Sequence, residues 1–231
     1  MTDRHDIART LPWMCEGTEH LLAVVGKLTD EDYRGPSALP GWSRAHIVGH
    51  VARNAEALNR LAIWASTGEE TPMYANREQR AAEIERSATH SVSTLRDELA
   101  STAEMLNEAL DALAPEQWQA QVRSALGRAI PAAEVPWMRI REVWLHAVDL
   151  GADVDDLPAG VVDFLLDDVS AALSSKDDCP SLALAPTDRD RTWSLGADPR
   201  SETVAASAAD LAGWLTGRVT APDRPILPRW L

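Results

Sequence analysis

Apolar residues recur at helical spacing along four long stretches in the first two thirds of the chain. That spacing is typical of amphipathic α-helices that bury one face. The pattern predicts long helices over about residues 3–27, 43–67, 91–113 and 133–150. Four such helices favour an antiparallel four-helix bundle, a fold that can hold a metal ion between facing helices.

The segments between these helices carry turn residues and short polar runs. Ser43 is a favourable N-cap for the second long helix. The segment before it, 29–42, is predicted to be a loop because its second half contains two Pro and two Gly. A short charged helix is predicted near 76–87, and a hairpin that turns near Gly127 precedes the fourth long helix.

The pattern changes after the segment D-V-D-D-L-P-A, which predicts a domain boundary near residue 155. The remainder alternates helices with short extended pieces, as in a small α+β domain. Its predicted elements are 160–174, 182–185, 192–195, 203–206 and 208–216. The predicted fold class is therefore mainly α, with an antiparallel four-helix bundle over 1–155 and a small α+β C-terminal domain over 156–231.

The fourth long helix carries an acidic residue and a histidine on its apolar side. Glu142 and His146 are four residues apart, so they lie on one helical face, one turn from each other. His50 lies on the inward stripe of the second long helix. Two histidines and a carboxylate form a known zinc ligand set, which also suits iron or nickel. The alternative is an ordinary surface Glu–His pair, which is common at this spacing.

Three further residues could support or line such a site. His46 lies one turn before His50 and could support the site or replace a ligand, but a capping or packing role near Ser43 is favoured. His20 lies on the inner part of the first helix, where packing in the core is slightly favoured over lining a cavity. Asp149 follows His146 by about one turn and could accept a hydrogen bond from its imidazole.

Composition and charge exclude several other classes. The net charge of −14 disfavours binding to nucleic acid or to anionic membrane surfaces. The two cysteines are far apart in sequence, and the charged N-terminal segment lacks the apolar run of a signal peptide. We therefore expect a cytoplasmic protein. The chain contains no G-x-S-x-G, no phosphate loop and no G-x-G-x-x-G.

Four motifs in order resemble the mycothiol-dependent maleylpyruvate isomerase family, within the broader superfamily of DinB-like metal-binding bundles. They are L-P-G-W-S-R-A-H-I-V-G-H-V-A-R-N-A, G-E-E-T-P-M-Y, W-M-R-I-R-E-V-W-L-H-A-V-D-L-G-A and the terminal P-R-W-L. The resemblance implies a DinB-like bundle with a divalent metal, zinc in the isomerase, bound by His50, Glu142 and His146. It also implies a catalytic arginine from the C-terminal domain, matched here by Arg218.

The same resemblance implies a reaction and its partners. The reaction is the cis–trans isomerisation of maleylpyruvate to fumarylpyruvate in gentisate degradation, with mycothiol as the thiol cofactor. A thiolate adds to the conjugated double bond, the resulting single bond rotates, and elimination releases the trans product. A metal deprotonates a bound thiol, so Cys15 and Cys179 are not required. The dianionic substrate needs local positive charge, which Arg218, and also Arg53 or Arg141, could supply. For Arg53 and Arg141, however, a surface salt bridge is the preferred interpretation.

Two alternative functions stay open at this point. The first keeps the metal and mycothiol but conjugates other electrophiles, as a mycothiol-dependent S-transferase. The second is a metal-stabilised bundle without catalytic activity that acts as a binding module. Turnover of maleylpyruvate with mycothiol distinguishes the isomerase from both.

Overall fold

The structure is a computed structural model that describes residues 4–197 and 202–230. Its chain divides into two compact units, Met1–Gly151 and Ala152–Leu231. Eight helices lie in the described residues: α1 (Ile7–Lys27), α2 (Asp30–Arg34), α3 (Arg44–Thr67), α4 (Arg77–Ala88), α5 (Val92–Asp111), α6 (Val135–Asp149), α7 (Ala159–Ser174) and α8 (Ala208–Leu215). Five strands are described: β1 (Gln121–Arg123), β2 (Ala129–Pro131), β3 (Leu182–Pro186), β4 (Trp193–Leu195) and β5 (Glu202–Ala206).

The first unit is built on the four long helices that the apolar spacing predicts. Helix α3 packs against α5 and α6, while α1 packs against α6 and, less extensively, against α5. Apolar side chains on the facing stripes of these helices are buried, as their spacing requires. Close approach of α1 to α6 depends on Gly17, where an added Cβ would lie 2.5 Å from Nε1 of Trp144. The predicted mainly α fold with a helical bundle is confirmed.

Two predicted boundaries differ from the structure. Helix α1 begins at Ile7 and not near residue 3; residues 4–6 are not helical, and residues 1–3 lie outside the described part. The predicted loop over 29–42 is wrong in its first part, which forms α2. Thr29 caps this helix, because its hydroxyl accepts from the amide of Asp32 while the Asp32 carboxylate accepts from the amide of Thr29.

The short charged helix and the hairpin are confirmed as α4 and the pair β1–β2. The hairpin is antiparallel, with Val122 opposite Ile130. Gly127 turns the chain with φ of 79°, a left-handed conformation that glycine adopts without a steric penalty. The hairpin leads through a single 3-10 turn into α6, so it sets where the helix with Glu142 and His146 begins.

The second unit contains a three-stranded sheet and two helices. Its strand order is β4-β3-β5, with β3 antiparallel to β4 and parallel to β5. Helix α7 packs against α8 and β4. The predicted extended pieces and helices correspond to these elements. Among the described residues of both units, no helix combines the length and the apolar character needed to cross a bilayer.

Candidate metal centre

Helix α6 positions two of the three predicted ligands. Ile140, Val143 and Ala147 are fully buried, so the bundle core fixes the rotation of the helix about its axis. That rotation places the half-buried Glu142 and the buried His146 on one face. Nε2 of His146 lies 3.2 Å from Oε2 of Glu142.

Helix α3 brings the third predicted ligand to the same point. Its first turn is fixed by Ser43, whose hydroxyl accepts from the amide of His46. Two turns further on, Nε2 of His50 lies 2.9 Å from the same Oε2 of Glu142. The His50 and His146 rings meet edge to face, with centroids 5.0 Å apart. One ligand atom from each of His50, Glu142 and His146 lies within 4.8 Å of the other two.

Asp149 orients one of the two imidazoles. Its carboxylate lies 2.8 Å from Nδ1 of His146 and is itself buried. A carboxylate at this position favours a proton on Nδ1, which leaves the Nε2 lone pair for a ligand. On the other helix, His50 has no hydrogen-bond partner at Nδ1 among the described residues. Both histidines therefore direct Nε2 toward the Glu142 carboxylate.

Burial and mutual contacts shift the pKa values of all three candidate ligands. Burial raises the pKa of Glu142, but the His50 charge and hydrogen bonds with His146 and His50 outweigh this and hold it well below its usual range. Burial lowers the pKa of His50 by more than Glu142 raises it. Burial also lowers the pKa of His146, although hydrogen bonds with Asp149 and Glu142 leave it above its usual value. The lowered pKa of Glu142 favours the ionised carboxylate that a metal binds, whereas His146, with its raised pKa, must release any proton on Nε2 before it can be a ligand.

The other two histidines that the sequence singled out have packing roles. Nδ1 of His46 accepts from the Ser43 amide at 3.1 Å, and its ring stacks on Trp42 with centroids 6.2 Å apart. His20 stacks on the buried Trp144, with centroids 5.0 Å apart. The Trp42 ring also meets His50 edge to face, with centroids 5.4 Å apart. Trp42 therefore covers part of the surface beside the three ligand atoms.

The predicted arginines fall in different places. Arg53 makes ion pairs with Glu56 at 3.0 Å and Glu98 at 2.9 Å, so the surface salt-bridge interpretation is confirmed. Arg141 is half-buried on α6, and a substrate-binding role for it stays a prediction. Arg218 lies in the second unit after α8, where its Nη1 donates to the Thr216 carbonyl at 2.7 Å. Its catalytic role likewise stays a prediction.

A fully buried arginine near the three ligands was missed from the sequence. Arg139 is 1% exposed, and its Nη1 donates to the Val51 carbonyl at 2.7 Å and to Oδ1 of Asn54 at 2.9 Å. Burial lowers its pKa to about 10, against the attraction of Glu142 and Tyr74. In the run M-R-I-R the sequence alone suggests that Arg139 is exposed, because arginine is most often a surface residue. Its position one turn before Glu142 was the only available signal.

The donor set fits a divalent metal. Two imidazole nitrogens and one carboxylate oxygen converge, and the buried Asp149 holds one of the imidazoles in place. Three protein ligands leave further coordination positions for an exogenous molecule, as is typical of catalytic sites and unlike closed structural ones.

A family model and two solved structures that match the chain all belong to the same family. The model of the mycothiol maleylpyruvate isomerase N-terminal domain matches residues 15–151, which is more than half of the chain. Two similar crystal structures are of the mycothiol-dependent maleylpyruvate isomerase, one of them of a variant in which a histidine is replaced by alanine. Each is 33% identical, covers 100% of both chains and has a TM-score of 0.92. No curated protein matches the chain significantly.

Proposed function

Because the chain belongs to the mycothiol-dependent maleylpyruvate isomerase family, we propose that it isomerises maleylpyruvate to fumarylpyruvate with mycothiol as cofactor. The observation that carries the proposal is the convergence of His50, Glu142 and His146, whose ligand atoms lie within 4.8 Å of one another. Similarity over the full length of both chains supports the same reaction class.

In this proposal the three residues hold a divalent metal through the Nε2 atoms of both histidines and a carboxylate oxygen of Glu142. When bound, the metal would act as a Lewis acid that keeps the mycothiol sulfur in its nucleophilic thiolate form. The chain's own thiols are unsuited to that role, because burial and nearby carboxylates raise the pKa of Cys15.

The residues around the ligands hold them in position in advance. Asp149 holds the His146 ring, and the buried charge of Arg139 favours the ionised form of Glu142. Trp42 packs against the edge of His50. Ligands that are fixed before the metal arrives lose less conformational entropy on binding it.

An assay of maleylpyruvate isomerisation by the purified protein tests the proposal. We expect turnover when metal and mycothiol are both present, and none after chelation or when mycothiol is omitted. Glutathione in place of mycothiol serves as the control for thiol identity. An absence of turnover by the metal-loaded protein, together with conjugation of a model electrophile to mycothiol, would instead support an S-transferase.

We further propose zinc as the resident metal, because two histidines and one carboxylate form a common catalytic zinc set. Metal analysis of protein purified without added metal is expected to find zinc bound to the chain. Iron or nickel bound in its place would contradict this assignment, since both also accept these ligands.

Arg218 is proposed to contribute positive charge for the dianionic substrate. We expect Arg218→Gln to lower turnover while its metal content stays at the wild-type level, and Arg218→Lys to recover part of the activity. Unchanged turnover in Arg218→Gln would remove this residue from the catalytic set.

A further inference from the structure

Helix α4 packs tightly on the part of α3 that carries the candidate ligand His50. An added Cβ at Gly49 would lie 2.6 Å from Cβ of Ser87, so only glycine permits the observed separation of the two helices. Nε2 of His46 also lies 3.4 Å from Oε2 of Glu85, which joins the same two helices one turn before His50. Helix α4 therefore borders the candidate metal centre on one side. This helix and the segment before it, residues 71–88, are called the wall below.

The segment that leads into α4 is fastened to α3. Nη1 of Arg60 donates to the Met73 carbonyl at 2.7 Å, and the Thr71 hydroxyl donates to the Arg60 carbonyl at 2.6 Å. The Met73 side chain is buried. These contacts fix the chain immediately before Tyr74, and thus the place from which its phenol extends.

Tyr74 and Arg80 lie together on this wall. Cζ of Arg80 is 5.8 Å from the centroid of the Tyr74 ring. Arg80 shares a face of α4 with the buried Ile84 and Ser87, four and seven residues further on, so it lies on the side that packs against α3.

The Tyr74 phenol is protonated and close to the same group of charges. Burial raises its pKa, the Glu142 charge raises it further, and the neighbouring Arg80 lowers it by less than these combined. The phenol is therefore a hydrogen-bond donor at neutral pH. A half-buried guanidinium beside a phenolic donor is a suitable pair for a carboxylate.

Arg80 has no carboxylate partner among the described residues, unlike several other arginines of this acidic chain. In the described part of the chain it makes no ion pair with a carboxylate, although the sequence has 36 acidic and 22 basic residues other than histidine. Arg53, Arg128 and Arg189, by contrast, each pair with a carboxylate. A half-buried cation without a protein anion, next to a candidate metal centre, leaves its charge available to an anionic ligand.

We propose that Arg80 and Tyr74 form a carboxylate-binding subsite that recognises one carboxylate of the dianionic substrate beside His50, Glu142 and His146. The guanidinium pairs with the carboxylate, and the Tyr74 hydroxyl donates a second hydrogen bond. The inference rests on the proposed isomerase function and assigns substrate recognition within it to two residues of the first unit.

Steady-state kinetics of Arg80→Gln against the matched variant Arg77→Gln test the subsite. Arg77 lies on the same helix and is exposed, so the second variant makes the same charge change at an exposed position of the wall. Arg80→Gln is expected to raise the KM for maleylpyruvate on the order of 10- to 100-fold, the usual effect of losing a charge-assisted hydrogen bond. The KM for mycothiol and the metal content should match those of Arg77→Gln.

Two further variants separate recognition from support of the wall. Arg80→Lys keeps the charge and should recover part of the lost affinity. Tyr74→Phe keeps the ring and should raise the KM for maleylpyruvate on the order of 10-fold, because only a single hydrogen bond is lost. If Arg80→Gln lowers the melting temperature and leaves this KM unchanged, Arg80 supports the Tyr74 segment and the inference is overturned.

Direct binding keeps the inference testable even if the protein does not isomerise maleylpyruvate. Calorimetry with maleate, a cis-dicarboxylate, measures recognition by the metal-loaded protein without turnover. We expect maleate to bind wild type and Arg77→Gln equally, and Arg80→Gln on the order of 10-fold or more weakly. Equal affinity in all three proteins, or no binding to wild type, overturns the subsite. Absent turnover with intact maleate discrimination contradicts only the proposed reaction.

Discussion

Oδ2 of Asp149 lies 2.8 Å from Nδ1 of His146, within the last turn of α6. A negative side chain at a helix C-terminus is electrostatically unfavourable, so a compensating contact is expected there. The contact with His146 supplies it, and it also turns Nε2 of the same ring toward Glu142 at 3.2 Å. One buried carboxylate thereby connects the end of α6 to the geometry of the candidate metal centre.

The first prediction concerns this carboxylate. Asp149→Asn keeps the shape of the side chain but weakens the hold on the His146 ring, so metal affinity is expected to fall by about 10- to 100-fold. Competition with a chromophoric chelator measures the change. Asp97→Asn makes the same substitution at an exposed position of α5 and should leave the affinity unaltered.

The second prediction concerns the ligands themselves. His50→Ala, Glu142→Ala and His146→Ala should each purify without stoichiometric metal and without isomerase activity, because three protein ligands are the minimum for such a site. His46→Ala, one turn from His50 but engaged with Ser43 and Trp42, should keep its metal. Metal analysis decides each case, and a fully metallated Glu142→Ala protein would remove Glu142 from the set.

The third prediction is a pH dependence of stability from Glu134. This buried carboxylate lies 2.5 Å from Nε2 of His5, 2.9 Å from Nε of Arg4 and 3.1 Å from Nη2 of Arg128. Burial raises its pKa, but the hydrogen bond with His5 and the charges of Arg4 and Arg128 lower it below the ordinary 4.5. A carboxyl group whose pKa is lower in the folded than in the unfolded state stabilises the fold at pH values above its unfolded pKa. This stabilisation is lost as the pH falls through the folded pKa.

Glu134→Gln is therefore expected to reduce the free energy of unfolding by about 1–3 kcal/mol at pH 7. The difference from wild type should shrink as the pH falls below the ordinary value of 4.5. Urea titrations over this range measure it, with Glu116→Gln at an exposed site as the control. A difference that stays constant down to pH values at which both proteins are acid-unfolded would show that ionisation of Glu134 contributes nothing.

The fourth prediction concerns the close packing of α4 on α3. Gly49→Ala places a Cβ 2.6 Å from Cβ of Ser87, so the helices must separate, at a cost of about 1–3 kcal/mol. Gly26→Ala is the matched control, because nothing lies within 4 Å of its added Cβ. That variant should gain about 0.5–1 kcal/mol in stability, since alanine restricts the unfolded chain. Thermal unfolding compares the two, and a neutral Gly49→Ala would mean that α4 can move without cost.

The fifth prediction tests the origin of the nucleophile. Cys15→Ser and Cys179→Ser should retain near-wild-type activity, because burial raises the pKa of both thiols and a thiolate is the reactive form. Isomerase assays with mycothiol measure this. Loss of activity in Cys15→Ser would indicate a nucleophile within the protein.

Much of the architecture could be predicted because it follows from local periodicity. The long helices, the Gly127 hairpin and the C-terminal strands each depend on residues near in sequence. Helix α2 was missed because Pro and Gly after it dominated the segment, although Thr29 and Asp32 carry the spacing of a capping box. Local signals of this kind compete, and composition over a window can conceal a five-residue helix.

By itself the sequence determined that Glu142 and His146 share a helical face and that His50 faces inward, because a helix repeats every 3.6 residues or so. Tertiary structure alone decided that His50 and His146 meet at the same carboxylate oxygen, since that depends on how α3 packs against α6. It also decided the burial of Arg139 and its hydrogen bonds to Val51 and Asn54. These contacts join residues distant along the chain, and close packing of helices, which no local pattern encodes, brings them together.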